Sequence, residues 1–195
     1  MSKGRPRDER IDSEITAAAL AVLAESGFTS FSVGEVALRA GVAKTTVYRR
    51  FPAREDLIVA ALERLNDDLP TGPLAGPVRK QLIVLLEGIR CRTPDSEWSR
   101  ILAHAVGQGA RDSTFAELVR SRVLMPRRQL LRDVIEAGIA SGELRSDLDP
   151  DTAVPILVGP MLYLGKWDNA TIGPRISVEA VLDVIMAGMT PATSS

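Results

Sequence analysis

The sequence predicts an all-α protein with about nine helices. Apolar residues recur at helical spacing through most of the 195-residue chain, and no stretch shows convincing strand alternation, an internal repeat or low-complexity sequence. Hydrophobic residues make up 45% of the chain and charged residues 25%, which is ordinary globular composition. Capping residues, glycines and prolines divide this helical sequence into separate elements.

The first two helices have clear start and stop signals. Apolar residues at i, i+4, i+7 and i+8 predict a helix over 10–26. Gly27 ends this helix, because glycine adopts the left-handed conformation of a C-cap without steric cost. Ser32 and Glu35 have the spacing of a capping box, in which each side chain bonds to the other residue's backbone amide. They predict a second helix over 33–40. Gly41 ends this helix for the same reason as Gly27.

A third and a fourth helix complete the N-terminal part. The third covers 44–51 and stops at Pro52, which cannot continue a helix. The fourth covers 54–69. Residues 69–77, "LPTGPLAGP", form the one obvious linker by proline and glycine content, so a domain boundary is expected here or at the end of the fourth helix.

The helical pattern resumes after the linker. Pro126 lies inside the longest predicted helix and should kink it or divide it in two. Asp149 and Pro150 fit the cap and the first turn of the helix that follows a polar connector. The predicted helices cover residues 78–90, 96–107, 113–141, 152–166 and 178–189.

Charge is distributed unevenly along the chain. The formal net charge is −1, but residues 1–55 carry nine Lys/Arg and seven Asp/Glu, and residues 36–54 hold five cations and no acid. A charge run is usually a solvated face. These cations surround a structured turn, however, which favours a polyanionic partner.

Several other classes of protein are disfavoured. Cys91 is the single cysteine, so no intrachain disulfide is possible and a reducing compartment is expected. His104 is the single histidine and has no Cys/His cluster near it, which argues against a transition-metal site. No catalytic constellation or nucleotide-binding glycine loop is present, so we expect neither an enzyme nor a cofactor. Without a signal peptide or membrane helix, the expected location is the cytoplasm.

The segment 41–51, "GVAKTTVYRRF", has the form of the second helix in a helix-turn-helix, which enters the DNA major groove. With about 100° per residue, Val47 and Phe51 lie about 40° apart and form the buried side. Arg49 lies almost opposite, with Thr45 and Thr46 within about 60° of it. Arginine pairs with guanine and threonine offers a hydroxyl and a methyl, so these three are predicted to face base edges.

Residues that flank this face are predicted to make further DNA contacts. Tyr48 and Arg50 lie near the two edges of the helix face, where phosphates pass. Lys44, at the open N-terminal end, can reach a base or a phosphate. An N-terminal arm, residues 1–10, could follow the adjacent DNA backbone or enter the minor groove, or it could be a disordered solubilising tail. Its cations are Lys3, Arg5, Arg7 and Arg10. On pattern alone, an ordinary surface helix hairpin remains an alternative.

The stretch from 11 to about 62 resembles the DNA-binding domain of the TetR family of bacterial repressors. The resemblance rests on Gly27 with Phe28, on the "GVAKTTVYRRF" segment and on the basic-acidic-leucine segment 54–57. It implies a headgroup over 11–69 and a larger helical domain over 75–190 that binds an effector and dimerises. It also implies a homodimer that binds a palindromic operator.

The resemblance carries DNA contacts over to particular positions. Gly34 departs from the usual polar residue, which puts one contact in doubt. Ala43 lacks the hydroxyl often found at this cap, so the third helix starts less firmly. The positions matching DNA contacts are Ser32, Lys44, Thr45, Thr46, Tyr48 and Arg49.

For an effector the sequence offers only candidates. Aromatic residues and methionine suit an apolar ligand, but a large side chain on a helical stripe is more often plain core. A regulator that works without a ligand, through its abundance or a protein partner, is the alternative. The candidate lining residues are Trp98, Leu102, His104, Phe115, Met125, Tyr163 and Trp167.

The last predicted helix carries one apolar stripe. The family resemblance assigns this stripe to a dimer interface formed with the preceding helix, whereas a core stripe within the chain is equally compatible with the residues. The stripe consists of Val178, Val181, Leu182, Ile185 and Met189.

Overall fold

The computed structural model describes residues 9–70, 74–90, 96–108, 113–167 and 177–190, and this part of the chain is all-α. The first four helices are followed by a 3₁₀ turn, Arg64–Asn66, and a π-helical segment, Arg120–Leu124, joins α7 to α8. The helices are α1 (Glu9–Ser26), α2 (Val33–Arg39), α3 (Lys44–Arg50), α4 (Arg54–Glu63), α5 (Val78–Arg90), α6 (Glu97–Gln108), α7 (Ser113–Val119), α8 (Met125–Ser141), α9 (Pro150–Trp167) and α10 (Val178–Met186).

Pro126 interrupts the longest helical run as predicted. It is the second residue of α8, the helix that directly follows the π-helical segment. Proline has no N–H to offer the carbonyl four residues earlier, and its ring crowds that carbonyl. The carbonyl of Arg122 instead accepts a hydrogen bond from the side-chain amide of Asn66, at 2.7 Å. Counted as one interrupted helix, 113–141 leaves nine helices in the described residues, matching the predicted number.

The predicted glycine stops are confirmed, and one cap differs in detail. Gly27 and Gly41 have φ values of 72° and 65°, in the left-handed region. The Ser32 hydroxyl accepts from the Glu35 amide at 3.4 Å, which is one half of the expected capping box. The other half is replaced, because the Glu35 carboxylate accepts from Arg39 at 2.8 Å.

The chain forms two compact units. The first comprises Met1–Asp67 and Glu97–Val123, so it contains α6 and α7 in addition to the predicted headgroup helices. The second comprises Asp68–Ser96 and Leu124–Ser195. Two contacts explain why α6 and α7 join the first unit. The rings of Phe28 and Phe115 stack with centroids 5.2 Å apart, and a ring nitrogen of His104 lies 3.2 Å from the carbonyl oxygen of Ala24.

The second unit is built around α5, α8, α9 and α10. Leu82, Ile135 and Leu157 are fully buried in its core. A buried arginine, Arg127, pairs with Asp68 at 2.6 Å, which satisfies its charge. The predicted cap of α9 is confirmed, since the Asp149 carboxylate accepts from the backbone amide of Thr152 at 3.0 Å and from its hydroxyl at 2.6 Å.

The stripe on α10, predicted to form a dimer interface, packs against the core of this unit. Val178 and Leu182 are fully buried and Met189 is 5% exposed. Val181 and Ile185 are partly buried against the same cluster. The burial of Val178, Leu182 and Met189 agrees with the intrachain alternative, while Val181 and Ile185 keep part of their surface exposed.

Candidate nucleic-acid interface

Helix α3 is held to the first unit by few contacts. It has seven residues, and its N-cap residue, Ala43, makes no side-chain hydrogen bond, as its sequence predicts. Val47 is the fully buried side chain of the helix, at 0% exposure. Phe51, which follows the last turn, is partly buried against the same cluster. The side of the helix predicted to be buried therefore lies inwards.

The opposite side of α3 is exposed and basic. Lys44, Thr45 and Arg49 are exposed, and the ring of Tyr48 is 43% exposed. Thr46 is half-buried at the edge of this surface. The Lys44 ammonium lies 5.8 Å from the centroid of the Tyr48 ring, one turn further along the helix. We call these five residues the α3 outer face; it contains no acidic residue.

Arg39 and Arg54, two cations near α3, have partners within the first unit. Arg39 donates to Glu25 at 2.7 Å and to Glu35 at 2.8 Å, and the hydrogen bond from Arg39 lowers the pKa of Glu25. The guanidinium of Arg54 lies 4.7 Å from the centroid of the Phe28 ring and donates to the Phe28 carbonyl oxygen. These two arginines hold the headgroup together rather than project from it.

Arg50, predicted as a phosphate contact, is also turned inwards. Its guanidinium pairs with the carboxylate of Asp12 on α1, and its side chain is only 12% exposed. Arg49, its neighbour in sequence, is exposed. Nothing local in the sequence indicates this difference, because Asp12 lies 38 residues away along the chain.

Helix α2 contributes a further surface residue that sequence reasoning did not single out. Leu38 is 75% exposed, and with about 100° per residue it lies about 40° from Gly34 on the outer side of the helix. Ser32 is exposed at the start of the same helix. The signal in the sequence was that Leu38, an apolar residue, lies outside the helix face formed by the buried Val36 and Ala37.

The remaining predicted residues belong to three parts of the chain: the N-terminal arm, the first unit and the second unit. Arg5 and Arg7 lie outside the described residues. Trp98 and Phe115 are buried in the core of the first unit, and Leu102 packs against that core. The second unit contains Met125, 38% exposed, Tyr163, 61% exposed, and Trp167, whose side chain lies outside the described part. His104, in the first unit, makes the contact with α1 described above.

The described residues contain neither a metal-binding cluster nor a membrane-spanning helix. No group of three or more His, Cys, Asp or Glu side chains there is arranged to hold a metal ion. None of the helices that the structure describes is long and apolar enough to cross a membrane.

A short glycine turn between two helices, followed by an exposed and acid-free basic helix face, defines a helix-turn-helix DNA-binding protein. Comparison with known families specifies which. Residues 15–61 match the family model "Bacterial regulatory proteins, tetR family", and residues 73–184 match "Tetracyclin repressor-like, C-terminal domain". Together the matches cover most of the chain, so it belongs to the TetR family and is a DNA-binding transcriptional regulator.

Individual relatives agree with this family. The chain is 33% identical over 162 residues to the HTH-type transcriptional regulator YdeS of Bacillus subtilis (strain 168), covering 83% of this chain and 81% of that protein. It is 27% identical over 190 residues to the DNA-binding transcriptional repressor TetR of Mycobacteroides abscessus, covering 93% and 97%.

Solved structures share the fold. The TetR-family transcription regulator SCO0332 matches with a TM-score of 0.67 and 23% identity, covering 93% of this chain and 100% of that one. The regulator FadR from Bacillus subtilis, solved in complex with stearoyl-CoA, matches with a TM-score of 0.62 and 21% identity, covering 90% and 96%.

Proposed function

We propose that this regulator is a cytoplasmic repressor that binds a palindromic operator as a homodimer and leaves it when an apolar small molecule binds. The observation that carries the DNA-binding part is the α3 outer face, which is exposed, basic and free of acid. In each subunit this face enters the major groove, with the two recognition helices one DNA turn apart, roughly 34–36 Å.

Within the groove, some residues contact bases and others contact the DNA backbone. Arg49 with Thr45 and Thr46 contacts base edges, because Arg49 projects almost directly away from the buried Val47. Lys44 and Tyr48 lie towards one flank, where phosphates pass, and Ser32 at the start of α2 offers its hydroxyl to the backbone. The basic arm, with Arg5 and Arg7, adds sequence-independent attraction.

The dimer forms through the exposed apolar face of α9 and α10. On α9, Ile156, Leu162 and Tyr163 are 52%, 47% and 61% exposed, and they lie on one side with the exposed Gly159. On α10, Val184 is 78% exposed and points away from the buried stripe. An apolar face of this kind on two adjoining helices is typical of an interface with a second copy.

Dimerisation is tested by sedimentation with a matched pair of valine variants. Val184→Glu places a charge in the proposed interface and should shift the protein towards monomer. Val106→Glu introduces the same change at an 82% exposed valine on α6 and should leave the dimer intact. If Val184→Glu sediments like the parent, the interface lies elsewhere.

For the effector, support comes from a relative of known structure. FadR binds stearoyl-CoA, and it shares this fold. A ligand shifts operator binding only by its different affinity for the two states of the dimer. Stearoyl-CoA is a suitable first probe, because its long acyl chain is apolar and FadR binds it. Fluorescence anisotropy of a labelled operator would measure release of the DNA. The alternative is a regulator that works without a ligand, and the buried packing of Trp98 and Phe115 is compatible with it. An operator affinity that does not respond to the probe would favour this alternative.

The groove assignment is tested by salt-dependent titration of the operator. Arg49→Ala should reduce discrimination between operator and scrambled duplex by about 1–3 kcal/mol, since one arginine–guanine pair is lost. Arg120→Ala is the control, because it removes the same charge from the π-helical segment after α7, where Arg120 pairs with Glu117 at 2.7 Å. Equal discrimination by Arg49→Ala and the parent would contradict the placement of α3.

A further inference from the structure

We propose that Asp12 and Arg50 are positioning residues for DNA recognition: their ion pair sets the rotation of α3 about its own axis. The proposal rests on the placement of α3 in the major groove. It assigns a role to two residues that face away from the DNA-binding surface, one of them on a different helix.

The recognition helix needs a second point of attachment. Its N-cap, Ala43, supplies no side-chain hydrogen bond, and Val47 is the side chain that it buries completely. In a seven-residue helix attached mainly along one apolar line, that line alone does little to fix the rotation of the helix about its axis. The direction of every side chain on the outer face depends on this rotation.

The ion pair lies where it can resist this rotation. With about 100° per residue, Arg50 lies about 60° to one side of Val47, while Lys44 lies about 60° to the other. The guanidinium of Arg50 pairs with the Asp12 carboxylate, and the two side chains are only 12% and 21% exposed. A charge-assisted hydrogen bond that is largely removed from water is both stronger and more directional than one at the surface.

Asp12 is itself held in place. The Thr16 hydroxyl donates to the backbone carbonyl of Asp12 at 2.9 Å, and Thr16 is buried. Arg64, in the 3₁₀ turn after α4, donates to the hydroxyls of Ser13 at 3.1 Å and Thr16 at 3.3 Å. The turn of α1 that carries Asp12 is therefore fastened to another element, and it provides a rigid reference for Arg50.

The consequence concerns specificity more than attraction. Bidentate contact between Arg49 and a base requires good hydrogen-bond angles, which weaken steeply when the donor is misaligned. Contacts with phosphates tolerate misalignment, since they depend mainly on charge. Loss of the pair should therefore reduce discrimination while general affinity for duplex DNA is retained.

Asp12→Asn separates positioning from a direct phosphate contact, because the two roles predict changes in different quantities, the affinity for every duplex or the ratio between two duplexes. If Arg50 were a phosphate contact, removing the acid would release it and tighten binding to every duplex. As a positioning pair, the ratio of Kd for a scrambled duplex to Kd for the selected operator should fall about tenfold, the effect of roughly one wrong base pair. The operator is the duplex selected by the parent protein from a random library.

Glu14→Gln is the matched control. It also removes one acid from the start of α1, but Glu14 is exposed and pairs with Arg10 at 3.9 Å rather than with α3. Glu14→Gln should bind both duplexes as the parent does, apart from a uniform change that reflects charge. Comparison of Asp12→Asn with this control isolates the contact to α3.

Two further measurements keep the proposal distinct from a loss of folding. Arg50→Gln should reproduce the lower ratio, and the double variant Asp12→Lys with Arg50→Glu should restore part of it. Unfolding midpoints show whether the variants are folded at the assay temperature, since partial unfolding lowers affinity for both duplexes equally and leaves the ratio unchanged. Arg49→Ala, run in parallel, reports on the groove placement separately. An unchanged ratio, or tighter binding by Asp12→Asn than by Glu14→Gln, would overturn the proposal.

Discussion

Helices α3 and α10 are both short and amphipathic, but only for α3 does the sequence predict the surroundings of its side chains. The outer side chains predicted for α3 include Thr45 and Arg49, and both are exposed. For α10 the sequence predicts a stripe shared with a partner, whereas Val178 and Leu182 are buried inside their own unit. A polar face indicates exposure directly, because burying it carries a desolvation cost. An apolar stripe indicates only that something covers it.

The largest effect is expected from truncating this stripe. Leu182→Ala should lower the free energy of unfolding by about 2–5 kcal/mol, because it leaves a cavity in the core of the second unit. Val184→Ala, on the exposed side of the same helix, should cost far less in the monomer. Urea unfolding at low protein concentration measures both. Equal costs would mean that the two sides of α10 are not as different as the structure shows.

A smaller loss is expected where α8 packs tightly. A Cβ on Gly138 would lie 2.6 Å from a methyl carbon of Val78 and 2.9 Å from one of Leu144. Gly138→Ala gains up to about 1 kcal/mol of helix propensity but costs about 1–3 kcal/mol by overpacking, so net destabilisation is expected. Gly107→Ala is the control, since an added methyl there meets nothing within 4 Å. Thermal unfolding of the two variants should shift in different directions.

Features set by local signals could be predicted from the sequence, whereas features set by distant contacts could not. Helix limits followed from local signals: Gly27 and Gly41 stop their helices, and Asp149 caps α9. The break at Pro126 followed from a missing N–H. Membership of α6 and α7 in the first unit did not, because it depends on contacts between residues far apart in sequence.

A side chain that caps the N-terminus of α3 should stabilise this helix. Ala43 has the extended backbone of an N-cap, φ −67° and ψ 143°, but no side chain that can accept a hydrogen bond. Ala43→Ser should raise the free energy of unfolding of the first unit by about 0.5–2 kcal/mol. Hydrogen exchange of the α3 amides provides a local measurement. No added protection there would show that α3 does not limit the stability of its surroundings.

The smallest effect concerns the exposed charges beside α3. Arg39 holds the pKa of Glu25 below its usual value of 4.5, so the pair stabilises the fold above that pH. This contribution is lost as the pH falls through the lowered pKa, when the folded state must also take up the proton. Urea midpoints between pH 7 and pH 3 should therefore fall slightly more for the parent than for Glu25→Gln. Parallel curves would mean that this surface pair contributes nothing measurable.

The sequence by itself determined the fold class, most helix limits, the family and the direction in which Arg49 points. Each of these depends on spacing within one helix or one turn. Only the tertiary structure decided that Arg50 turns inwards to Asp12, that α6 joins the headgroup and that the α10 stripe is core. These features depend on partners distant in sequence, and a side chain's own helix position does not specify which partner the fold brings to it.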